Sequence, residues 1–133
     1  MSITLTDQNK ATLRTAAYGA VSLLAAAGGS PHKIATKGST ALYCATGPIG
    51  HVLAAKSKDI DLKGKSVAEL ADQVLPALTA AVSLLDEQDP AEAANFRSTV
   101  IVAIEAATQA HQGRPSPILA EMTRKITAAL DAA

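Results

Sequence analysis

Tryptophan is absent from this chain, and aromatic residues make up only 2% of it: Tyr18, Tyr43 and Phe96. Strands draw on aromatic and β-branched side chains in alternation, so this scarcity argues against a sheet-based core. A single cysteine, Cys44, excludes an internal disulfide, and with it the stapled folds of small secreted domains. The first ten residues carry no basic leader. The most apolar windows, residues 16–27 and 75–85, are amphipathic and fall well short of the roughly 20 residues that span a bilayer. A cytoplasmic protein with no membrane segment is therefore expected. Sequence repeats and low-complexity linkers are also missing, and neither sign of charge dominates, with 12 basic residues against 12 acidic.

What the chain does have is small aliphatic bulk. Its 133 residues are 48% apolar and 18% charged, the size of one domain with one core. Alanine is abundant, with Leu, Val and Ile supplying volume. Alanine loses no side-chain entropy in a helix and has the highest helix propensity. The composition predicts an all-α fold, a single-domain helical bundle of five to six helices over residues 1–133, with close, alanine-lined contacts.

The spacing of apolar residues supports this. A first helix is expected from Thr6 or Asp7, either of which can cap free amides. Leu13, Ala16, Ala17, Ala20, Leu23, Leu24 and Ala27 form one stripe at intervals of three and four, stopped by Gly28-Gly29. Ser30-Pro31 reopens a helix, with proline at the first position, where its missing N–H costs nothing. Ile34, Gly38, Ala41, Leu42 and Ala45 share its face. After Thr46-Gly47-Pro48 a short third helix carries Ile49, Val52 and Leu53, and the charged stretch 57–65 reads as a loop. Ser66 and Glu69 make a capping box ahead of the strongest periodic signal: Val67, Leu70, Ala71, Val74, Leu78, Ala81, Val82 and Leu85. Pro76 inside it removes one backbone hydrogen bond, which predicts a kink or a split into two helices. Asp89-Pro90 with Glu92 starts the next helix, running through Phe96, Val100, Ile101, Ile104 and Ala107 to His111. Ser116-Pro117 starts the last, with Leu119, Met122, Ile126 and Leu130 on one face. Short turns between sequential helices predict antiparallel neighbours.

No catalytic motif emerges. Gly64-Lys65-Ser66 resembles the end of a phosphate loop, but Asp59 stands where that loop needs glycine. His32, His51 and His111 occupy separate segments without metal-ligand spacing, so no metal site and no cofactor are expected. Cys44, flanked by Tyr43 and Ala45, lacks a local base and reads as a small core residue. Asp86, Glu87 and Asp89 read as turn residues and a cap. Asn95, Arg97 and Ser98, beside Phe96, would form the best polar constellation of the second half if buried together. The most suggestive turn is Gly28-Gly29-Ser30-Pro31-His32-Lys33. Glycines opening onto a helix N-terminus leave amides and partial positive charge that suit an anion, and Ser30, His32, Lys33 and Lys37 are the weak candidate ligands. Nucleic-acid binding is not expected: basic residues are scattered and no aromatic interleaves with them.

Charge divides along the chain. Residues 1–65 hold Lys10, Arg14, Lys33, Lys37, Lys56, Lys58, Lys63 and Lys65 against Asp7, Asp59 and Asp61, a net +5. Residues 66–133 hold Arg97, Arg114, Arg124 and Lys125 against nine acids, a net −5. Two halves that attract each other explain this without a ligand. The functional expectation is a non-catalytic, self-associating helical bundle, a homodimer acting through protein–protein contact. The alternative is a small-molecule binder or enzyme with a pocket for an anionic ligand between helices near residues 28–51.

Overall fold

A computed structural model describes residues 5–27, 40–42, 50, 52–53, 66–109 and 117–132. The chain is an all-α bundle, and no strand occurs among the described residues. Thr6 caps the first helix, its Oγ1 accepting from the Asn9 amide at 3.0 Å, so that α1 runs Asp7–Ala27. Its apolar residues are more fully enclosed than a one-sided stripe would be. Leu13, Ala16, Ala17, Ala20, Leu23 and Leu24 are buried as their spacing predicts, and so are Arg14, Val21 and Ala25 on the remaining side. Alanine makes this possible, because a helix of short side chains can be approached closely from several directions.

Ser66 caps the second helix in the expected way, with the Glu69 amide donating to its Oγ at 3.2 Å. Such a cap contributes about 1 kcal/mol. The helix α2 then runs unbroken over Val67–Gln88 with Pro76 inside it, so the chain is not split at the proline. Pro76 lies on the exposed side, where its ring and missing N–H disturb the solvent edge and not the packed face. Among the described residues α2 is the one helix long and apolar enough to cross a membrane by length and composition. Here it packs as a core helix through Val74, Leu78, Ala81, Val82 and Leu85.

A single residue joins α2 to the next helix. Asp89 donates its amide to the Leu85 carbonyl at 2.7 Å, closing α2, while its Oδ1 accepts from the Ala91 amide at 3.0 Å. That carboxylate opens α3, Pro90–Gln109, and an acid at a helix N-terminus is favoured by the helix dipole. Asp86 and Glu87 are solvated beside it. The last helix, α4, spans Pro117–Asp131 and buries Leu119, Met122, Ile126 and Leu130 on one side. Proline at its first position again costs no hydrogen bond.

Each helix packs against the other three, and the α1–α2 pair is the most extensive. Two polar contacts fix α4. Thr79 Oγ1 on α2 donates to the Ala129 carbonyl at 2.7 Å, and Arg97 on α3 pairs with Asp131 at 2.7 Å. The end of α4 thus lies beside the first half of α3. Residues 40–42, 50 and 52–53 are also helical, in the stretches where the second and third helices are expected. Leu42, Val52 and Leu53 join one continuous core with Leu13, Leu24, Leu78, Phe96 and Ile126.

Candidate functional site

The residues singled out for an anion, Ser30, His32, Lys33 and Lys37, lie outside the described residues, as do Tyr43, Cys44, His51 and His111. The structure therefore neither gathers nor separates them. Asn95, Arg97 and Ser98 are described, and they do not come together. Ser98 is exposed, Arg97 turns outward to Asp131, and the Asn95 carbonyl accepts from Thr99 Oγ1 at 2.8 Å. Consecutive positions on a helix point about 100° apart, so a triplet spread over four residues faces three directions. None of the three is fully buried, so the condition for a polar constellation there is not met.

A different polar arrangement holds the middle of the molecule. Arg14 is the one charged side chain buried among the described residues, at 8% exposure. Its Nε donates to the Val52 carbonyl at 3.0 Å. One turn further along α1, the Tyr18 hydroxyl donates to the carbonyl of Leu53 at 2.5 Å. Positions four apart share a helix face, so Arg14 and Tyr18 reach in the same direction and grip two successive carbonyls. Burying a guanidinium away from water is costly unless it is hydrogen-bonded. Carbonyl oxygens of helical residues carry partial negative charge along the helix axis, which makes them fitting partners for a cation. A charge-assisted bond of this kind is roughly twice as strong as a neutral one.

Sequence reasoning passed over this pair. A signal was present: Arg14 sits between Leu13 and Ala16 inside an apolar stripe, with Tyr18 one turn on. What the sequence could not supply was the acceptor, because Val52 and Leu53 offer backbone oxygens, and every residue has one. The chemistry open to the pair is positional. Both groups donate to carbonyls and so tie α1 to residues 52–53.

Elsewhere polar groups are dispersed. Glu92 Oε2 and Thr123 Oγ1 are buried atoms with no hydrogen-bond partner among the described residues, and they belong to α3 and α4 respectively. Glu92 falls in the first turn of α3. Arg124 pairs with Glu121 on the exposed side of α4. No group of three His, Cys, Asp or Glu side chains that could hold a metal ion occurs among the described residues. No protein-family model, curated protein or solved structure matches the chain.

Proposed function

We propose that this protein is a non-catalytic, self-associating helical bundle, a cytoplasmic homodimer that works through protein–protein contact. The observation that carries this reading is a pair of large aliphatic side chains left in solvent. Val102 on α3 is 55% exposed and Ile118 on α4 is 61% exposed, while the rest of the bulky aliphatic residues described are at least partly enclosed. Val102 lies just past the middle of α3, and Ile118 in the first turn of α4. Fully burying one such side chain is worth about 1.5–3 kcal/mol, so covering two per subunit in a symmetric contact is a sizeable driving force. Twofold dimers are also the commonest assemblies of soluble proteins. The opposed charge of the two sequence halves supports the same reading, since it favours contacts within and between copies.

Light scattering at micromolar concentration tests it. The expected particle has about twice the 13.5 kDa chain mass, and replacing Val102→Lys together with Ile118→Lys should halve it with the helical dichroism unchanged, because both positions are outside the core. A native particle of 13.5 kDa removes the reading. A dimer that survives both substitutions moves the contact to another face.

A further inference from the structure

Among the described residues, the solvent side of α3 is set apart by its lack of charge. Its exposed positions are Pro90, Ala91, Ala94, Ser98, Val102 and Glu105. From Ala91 onward they recur at intervals of three and four, so they form one line along the helix. From Ala91 to Val102 that line carries no ionisable side chain, and Val102 stands 55% exposed within it. Arg97, at its edge, is engaged by Asp131 of α4. The other helices differ. Exposed Glu69, Asp72, Asp86 and Glu87 make the outer side of α2 acidic, with no basic residue in that helix. Glu121, Arg124, Lys125 and Asp131 are exposed on α4, and α1 exposes only Asp7, Gln8 and Ala26 among its described residues. Like charges brought face to face oppose a contact between two copies through the same helix. A neutral line does not.

We propose that a second copy of this chain docks on this line, α3 against α3, antiparallel about a twofold axis beside Ser98. The arrangement rests on the self-association reading above and specifies its surface. In a symmetric contact the same patch serves both subunits, so residues equally far from Ser98 on either side exchange places. Val102 then lies over the partner's Ala94, a larger side chain over a smaller one, and Glu105 lies over the partner's Ala91. Ser98, uncharged, meets its own counterpart. Small side chains at the crossing let the two helix axes come close, and Val102 leaves water in both copies.

Disulfide trapping tests this geometry separately from association itself. Cys44 is the one native cysteine, so in a Cys44→Ala background Ser98→Cys gives each chain a single thiol beside the axis. Two cysteines join only when their Cα atoms come within about 7 Å. Oxidation should therefore convert most of the Ser98→Cys variant into a covalent dimer on a non-reducing gel. Ala80→Cys, at an exposed position of α2, should stay at single-chain mass under the same conditions. Ala94→Glu, which sets an acid beneath the partner's Val102, should halve the particle mass in light scattering with helical dichroism unchanged. A native dimer in which Ser98→Cys crosslinks no better than Ala80→Cys would overturn the α3 contact and leave self-association standing. So would a dimer that tolerates Ala94→Glu. A native particle of single-chain mass overturns both.

Discussion

Phe96 is fully buried in the core, while Arg97 beside it makes an ion pair with Asp131 from a side chain that is 41% exposed. The two neighbours should differ sharply on truncation. Phe96→Ala removes the largest side chain of the core and leaves a cavity that aliphatic neighbours only partly fill, at a cost of about 3–5 kcal/mol. Arg97→Ala breaks a solvent-screened pair and should cost less than about 1 kcal/mol. Urea denaturation of both variants measures the contrast, and equal losses would mean that the pair holds α3 to α4 more firmly than an exposed contact can. Arg14 differs from Arg97 in kind as well as in place. Its Nε donates to the Val52 carbonyl in a buried setting, where a missing donor leaves an oxygen unsatisfied at a cost of about 1–3 kcal/mol.

The elements of the bundle are bounded by short-range chemistry. Thr6, Ser66 and Asp89 each accept an amide at a helix start, and Asp89 alone turns the chain from α2 into α3. All three are legible in the sequence because a cap needs only its own side chain and an amide two or three residues on. Pro76 is the exception to local consistency. It leaves the carbonyl of Asp72, four residues earlier, without its helical donor, yet α2 continues through it, held by the buried residues on the opposite side. Pro76→Ala restores the donor at an exposed position and should raise stability by about 1–3 kcal/mol, read as a higher urea midpoint at unchanged slope. An unaltered midpoint would show that α2 is bent there beyond the reach of the restored amide.

At the scale of the molecule, α1 and α2 form the most extensive helix pair and each also packs against α3 and α4. A bundle that also associates with a copy of itself has a stability linked to its concentration. If the dimer proposed above forms, a tenfold rise in protein concentration should lift the thermal midpoint by a measurable step, whereas a monomer melts at one temperature throughout. The Val102→Lys, Ile118→Lys double variant should lose that dependence.

Periodicity and local caps together determined that this chain winds into helices, where four of them start, and many of the residues that face inward. Spacings of three and four are properties of a helix whatever surrounds it. The packing decided the rest: that α1 is enclosed on several sides, and that Arg14 and Tyr18 close on the carbonyls of Val52 and Leu53. Those facts depend on partners some 35 residues away, and a backbone oxygen leaves no mark in a sequence to show which side chain will find it.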